Sequence, residues 1–373
     1  MAVAIKKIKR DTFFLGITAT LLLVGIFLFV SASLGILESS STKFQGVLFN
    51  QFVFGIAGGI IALFAAERID YKIWRKYSFF FYIASIILTA LVFVPGLGFE
   101  HGGARRWLSI GSFSFQPVEL LKLGYIMYFS AWLAALKNSK TITWHNFLPL
   151  GISTVVALGI LVKQPDTKNI ILLALVSAIL LFVAGISWKK IFMLFGCSIL
   201  LLVLIVSFKP YLRDRIQTFL NPENDPQGSS FQIRQSLIAI GSGQIFGTGL
   251  GQSVQKFTSL PEPQGDSIFA VAGEEFGFVG TTAIVILFVM FALRGLWIAR
   301  RAPDTFSSYL VTGFVVLILS QSFMNIAALI GLFPLTGVPL VFISHGGSAL
   351  LIALATVGII LQISGKARGE PGR

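Results

Sequence analysis

An all-α polytopic membrane protein of about ten transmembrane helices, with one large extracytoplasmic loop, is the fold class that the sequence predicts. Three observations carry this expectation. The 373 residues are 55% hydrophobic and only 12% charged, whereas a soluble domain carries roughly a quarter charged residues. The apolar residues fall in runs, several of them longer than the ~18 residues that cross a bilayer as a helix. The basic residues lie mostly in short stretches between those runs, as membrane topology requires.

In chain order the runs predict spans at roughly 12–35, 47–66, 77–95, 117–136, 146–162, 169–185, 191–208, 268–293, 307–330 and 340–362. The first follows the basic start MAVAIKKIKR. It is too long for a cleaved signal and more spans follow, so it is read as a retained helix. An even number of spans returns both termini to one side. With the N-terminus in the cytoplasm, 18 of the 29 Lys and Arg fall inside, including Arg68, Lys72, Arg75, Lys76, Arg294, Arg300 and Arg301. Ten fall outside, half of them in one long loop where charge has less influence on orientation, and Lys122 falls within a span. The positive-inside rule therefore places both termini in the cytoplasm. The formal charge of +13 is thus a topological signal and does not point to nucleic acid. The acids show the opposite bias, with 11 of 16 outside or within spans, which suits a working outer face. The single cysteine, Cys197, excludes an intrachain disulfide and a multi-cysteine metal site.

The whole chain, 1–373, reads as one membrane domain, and 209–267 is its large extracytoplasmic loop between the seventh and eighth spans. Within the loop, FQIRQSLIAI has Phe231, Ile233, Leu237 and Ile238 at roughly helical spacing, which predicts a short helix on the membrane surface. The glycine-rich GSGQIFGTGLG that follows has neither a preceding strand nor a GKS/T ending, so nucleotide binding is rejected.

Four segments carry chemistry. In LPEPQGDSIFAVAGEEFGFVG, Asp266 stands where the loop meets the eighth span, and Glu274 and Glu275 follow about two turns later. Carboxylates at membrane depth are costly and are usually functional. Asp266 also suits a helix N-cap, and the two glutamates suit buried ion pairs. In HGGARRWLSIGSFSFQPVELLKL, Arg105 and Arg106 offer planar forks to a phosphate, or are solvated loop charges. Glu119 and Lys122 stand three apart on one helix face. They either neutralise each other or line a polar cavity. In KQPDTKN, Asp166 lies between Lys163 and Lys168, either in a charge-satisfied turn or against a headgroup. In GLFPLTGVPLVFISHGGSALL, Pro334, Pro339, Gly346 and Gly347 can break a helix beside a cavity. His345, placed within the tenth span, is a packing residue or a proton carrier.

These segments, in this order, resemble the SEDS family (shape, elongation, division and sporulation proteins), which includes FtsW and RodA. The resemblance rests on GARRW, FQPVELLKL, QPD, DPQG, QSLIAIGSGQIFGTGLG, LPEP, IFAVAGEEFGFVG and ISHGGSA. GLGQSVQKF and GEEFGFVG are more similar to the division branch, FtsW, than to the elongation branch. It implies a peptidoglycan glycosyltransferase that polymerises lipid II at the outer leaflet, working with a class B penicillin-binding protein and other divisome or elongasome membrane proteins. The family's essential aspartate falls on Asp266. Its outer-face arginine falls on Arg106 or Arg105, its Glu/Lys pair on Glu119 and Lys122, and the aspartate of its QPD motif on Asp166. Asp266 is then the catalytic candidate. Arg105, Arg106, Glu119, Lys122, Asp166, Glu274, Glu275 and His345 are the substrate-binding candidates. A divalent cation, Mg or Mn, can assist the basic residues in neutralising the diphosphate, and no organic cofactor is implied. The sequence also departs from the family pattern. Where Leu-Gly-Thr commonly follows QPD, this chain has Thr167, Lys168 and Asn169. A flippase for lipid-linked sugars and a non-catalytic division scaffold are the competing readings.

Overall fold

The structure is a computed structural model that describes residues 10–39, 41–101, 104–110, 113–137, 148–187, 189, 229–335 and 337–366. The predicted seventh span, 191–208, and the loop residues 209–228 lie outside the described residues. Among the described residues, seven helices are long and apolar enough to cross a membrane, and two apolar helices are shorter.

The first of the long helices is α1, Thr12–Ser39. The second is a composite rod of α2, Ser41–Phe49, a π-helical stretch, Asn50–Ala57, and α3, Gly58–Arg68. α4, Tyr71–Ala90, and α5, Pro117–Lys137, follow. The two shorter helices are α6, Leu148–Lys163, and α7, Thr167–Val183. The predicted surface helix is α8, Ser229–Ser242, with Leu237 and Ile238 exposed and Ala239 buried. The last three long helices are α9, Ile268–Arg300, α10, Thr305–Leu329, and α11, Gly347–Gly365.

The structure adds one element and moves several boundaries: the composite rod starts at Ser41 and α4 at Tyr71, each six residues before the expected 47 and 77. Between α4 and α5 lies a three-stranded antiparallel sheet, β1 Gly98–His101, β2 Ala104–Ile110 and β3 Phe113–Phe115, in the order β1-β2-β3. The last span begins at Gly347 and not near 340, so His345 precedes the helix. The apolar run 337–346 can leave helical geometry because polar side chains satisfy its backbone. Asn325 Nδ2 donates to the Val338 carbonyl, Gln51 Nε2 to the Ser344 carbonyl, and the Gly346 N–H donates to Gln51 Oε1. Non-helical backbone at membrane depth persists only where it is buried in protein and satisfied in this way.

α5 is the central rod, with buried residues on every side. Its Tyr125 hydroxyl meets Thr154 of α6 and Ser177 of α7, and its Tyr128 stacks on Tyr82 of α4 with centroids 5.4 Å apart. The outer rods present Phe27, Ile61, Phe80 and Val155 outward, as lipid-facing surfaces require. α3 and α11 approach so closely that a Cβ at Gly358 would stand 2.2 Å from the Leu63 carbonyl oxygen. Small residues at such contacts are how helices pack without a hydrophobic driving force.

One end of the bundle gathers the charges that the sequence assigns to the cytoplasm. Asp11 accepts from the Phe14 N–H at the start of α1 and pairs with Arg294 at 2.9 Å. Arg10 pairs with Glu67 at 2.8 Å. Lys366 pairs with Asp70, and its hydrogen bond holds the Asp70 carboxyl below the usual carboxylate range. These pairs are partly solvated, so each contributes at most about 1 kcal/mol.

The glycine-rich stretch has a structural role. α9 is kinked at Gly277, whose φ of 64° is left-handed. The kink prevents Phe278 and Val279 from donating to the carbonyls of Glu274 and Glu275, and the glycine-rich loop replaces both halves of the lost ladder. The Phe278 N–H donates to the Gln244 carbonyl at 2.9 Å and the Val279 N–H to the Ile245 carbonyl at 3.1 Å. The Thr248 and Gly249 N–H groups donate to the Glu274 and Glu275 carbonyls at 2.9 and 3.0 Å. Glycine permits this approach, because a Cβ at Gly247 would stand 2.2 Å from the Glu275 oxygen. At Gly277 a Cβ would meet the Gly247 nitrogen at 2.4 Å. Gly277→Ala is therefore expected to destabilise by about 1–3 kcal/mol, through overpacking against rigid backbone and a strained φ. Thermal unfolding in detergent checks this, with Gly16→Ala in open space on α1 as the control. Equal midpoints for the two variants would contradict the kink assignment.

Candidate functional site

At the end of the bundle opposite the charge cluster, α5, α7, α10 and the non-helical run 337–346 meet the turn that leads into α9. The cap position of α9 is held by Ser267, and no side chain caps it. Asp266 therefore stands one residue outside the helix and is not its cap. Its carbonyl accepts from Asn325 Nδ2 at 2.8 Å. Its carboxylate lies over Gly337, where Oδ2 would stand 3.0 Å from a Cβ. Gly337 has a φ of 65°, so this position disfavours any side chain on conformational as well as steric grounds.

The ammonium of Lys168 arrives at the same glycine. Nζ donates to the Gly337 carbonyl and would stand 4.0 Å from the same Cβ. Lys168 is half-buried, on the first turn of α7. Two residues earlier, Asp166 is fully buried and accepts from Asn169 Nδ2 at 2.7 Å. Among the described residues, its Oδ1 has no hydrogen-bond partner.

Arg106 fixes this loop. From the middle of β2, its Nε donates to the Gln164 carbonyl at 3.2 Å and its Nη2 to the Pro165 carbonyl at 2.5 Å. Gln164 Nε2 in turn donates to the Thr89 carbonyl at 3.0 Å. Neighbouring strand residues point to opposite faces, and Arg105 is accordingly exposed. Deeper in the bundle, Glu119 and Lys122 form a buried pair at 2.9 Å. Lys122 also donates to Gln321 Oε1 at 2.8 Å, and Gln321 Nε2 reaches the Pro339 carbonyl at 3.5 Å. Gln321 and Asn325 stand one turn apart on α10, so both address the same broken segment. Glu119, Lys122, Gln321, Asn325, Asp266 and Lys168 thus form one polar seam between α5, α7 and α10.

The chain matches the model of a family described as cell cycle proteins, FtsW, RodA and SpoVE, over residues 11–369. The chain belongs to the FtsW/RodA/SpoVE family. It is 39% identical to stage V sporulation protein E of Bacillus subtilis, across 96% of this chain and 98% of that protein. It is 38% identical to a probable peptidoglycan glycosyltransferase FtsW of Geobacter sulfurreducens, across 98% of both. Among solved structures it is similar to a chain of a peptidoglycan synthase complex that coordinates polymerization and crosslinking. There the TM-score is 0.76 at 26% identity, covering 95% of this chain and 97% of that one. Thermus thermophilus RodA shares the fold, with a TM-score of 0.70 at 24% identity over 97% of this chain and 98% of that one.

Not every candidate of this FtsW/RodA/SpoVE chain converges on Asp266. Glu274 accepts from Ser253 Oγ at 2.6 Å and from the Val254 N–H at 2.9 Å. Glu275 pairs with Lys256 at 2.6 Å and accepts from Ser31 Oγ. Both glutamates thereby fasten the segment before Asp266 to α9 and α1. The His345 N–H donates to the Gln264 carbonyl at 2.8 Å, and its ring stacks on Phe29 with centroids 5.8 Å apart. Sequence reasoning missed Gln321, Asn325, Lys256 and the place of Lys168. Only Lys168 left a signal, as a departure from the family's QPD motif. A cavity of about 460 Å³, lined by Arg75, Lys137, Arg300, Asp304 and Tyr309, lies at the other end of the bundle and holds none of these candidates.

Proposed function

We propose that the chain is a peptidoglycan glycosyltransferase that polymerises lipid II at the outer leaflet of the bacterial inner membrane, with both termini in the cytoplasm. The observation that carries this reading is Asp266, a half-buried carboxylate outside its helix, set in a seam that also holds the cations Lys168 and Lys122. The names of the relatives support the activity.

In this reading Asp266 is the general base. It takes the proton from the sugar 4-hydroxyl of the acceptor as that oxygen attacks the anomeric carbon of the donor. The anomeric carbon–oxygen bond breaks, and its electron pair leaves with undecaprenyl diphosphate. Attack from the opposite face inverts the carbon and gives a β-1,4 link. Arg105 and Lys122 contribute positive charge toward the diphosphate. Arg106 acts through the Gln164–Pro165 carbonyls and so positions Asp166 and Lys168. Glu119 holds Lys122. Glu274, Glu275 and His345 act as positioning residues, with no contact to substrate.

The charge segregation supports the orientation, since the pairs of Arg10, Arg294 and Lys366 lie opposite Asp266. The similarity to a chain from a synthase complex supports a crosslinking partner, a class B penicillin-binding protein. The motifs support a division role. Purified protein with its transpeptidase is expected to convert lipid II into glycan polymer on a gel. Translocation of lipid II in liposomes with no polymer would favour a flippase and overturn this reading.

A further inference from the structure

Lys168 is the residue that the sequence treats as a mere departure from its family. The structure gives it a place. The first turn of α7 carries it, Arg106 and Gln164 fix the loop before that turn, and Nζ is anchored on the Gly337 carbonyl. The Asp266 carboxylate rests on the same glycine. The ammonium has three donors, and one goes to this carbonyl.

The charge balance gives this placement a consequence. A diphosphate that enters a site already holding the Asp266 carboxylate meets like-charge repulsion, so a cation is needed nearby. A resident divalent metal is the usual solution, but the donor set here does not suit one. The carboxylate stands over the same glycine as an ammonium, which would repel the metal. Among the described residues, no three Asp, Glu, His or Cys side chains gather as a metal cluster.

We propose that Lys168 is a diphosphate-binding residue of the transfer site, an ammonium built into the first turn of α7 that takes the place of a resident divalent cation beside Asp266. The proposal rests on the glycosyltransferase reading above. It assigns the diphosphate of the lipid-linked substrate, and not its sugars, as the group that Lys168 recognises.

The test compares the parent protein with Lys168→Ala, Lys168→Met and Lys168→Arg. Polymerisation is measured in EDTA and in Mg2+, and binding of undecaprenyl diphosphate is measured separately. The parent protein is expected to keep its rate in EDTA. Lys168→Ala and Lys168→Met should bind undecaprenyl diphosphate about 10- to 100-fold more weakly, as loss of a charge-assisted hydrogen bond implies. Their polymerisation should become dependent on Mg2+, because a free cation can then replace the missing ammonium. A purely structural role would produce no such rescue. Lys168→Arg should stay close to the parent. A parent protein that needs divalent metal, or an alanine variant with unchanged diphosphate binding, overturns the proposal and leaves the glycosyltransferase reading intact. A parent protein that binds diphosphate but makes no polymer overturns that reading, and this proposal with it.

Discussion

Replacing Asp266 with asparagine is expected to slow polymerisation about 10²- to 10⁴-fold, the loss that follows removal of a positioned general base. The substitution is nearly isosteric, so the contact over Gly337 is kept. The bond from Asn325 uses the Asp266 backbone carbonyl, which the change does not touch. The cap position of α9 is Ser267 and not Asp266, so the cap residue itself is unchanged. Thermal unfolding should therefore move by no more than a few degrees, equivalent to about 1 kcal/mol. Asparagine can still hydrogen-bond a hydroxyl, but it cannot take up the proton, so binding of lipid II should survive while the rate falls. Initial rates of polymer formation, measured beside the unfolding midpoint, separate these effects. A folded variant that polymerises near the parent rate would remove Asp266 from the chemistry. One that unfolds would instead assign it to the turn.

Much of the fold was legible because the bilayer makes few demands that local sequence cannot meet. A run of ~18 apolar residues satisfies its own backbone as a helix wherever it lies. α5, α9 and α10 accordingly begin within two residues of expectation. The parts that were missed depend on partners far away in sequence. The run 337–346 looks like the start of a span until Gln51, Asn325 and Lys168 are known to bind its backbone. The glycine-rich loop shows no sign that it completes a kink in α9 about thirty residues later. β1, β2 and β3 are short, and β2 carries two adjacent arginines, so no apolar alternation announces them. At the site, spacing was enough for Glu119 and Lys122, which stand one turn apart. It was not enough for Asp266 and Lys168, which come together over Gly337.

Breaking the pair between Lys256 and Glu275 is expected to have the largest effect on stability. Both side chains are fully buried, 2.6 Å apart, and Ser31 Oγ bonds to each of them. Glu275→Leu would leave the Lys256 ammonium buried without its counter-charge, at a cost of about 3–5 kcal/mol. The attraction within such a pair barely exceeds the desolvation of its members, so removing both charges is different. Lys256→Met with Glu275→Leu is expected to be near neutral, or more stable than the parent. Lys256→Met, Glu275→Leu and the double variant form a cycle in which the coupling should approach the summed cost of the two single changes. The same cycle separates structure from catalysis at a residue that the sequence offered as a substrate contact. Lys256 lies ten residues before Asp266, and the pair anchors that segment to α1 and α9. If the role of Glu275 is to hold this segment, polymerisation should fall in the single variant and return in the double. If the double variant is stable but inactive, Glu275 or Lys256 touches the substrate, and the anchoring role fails.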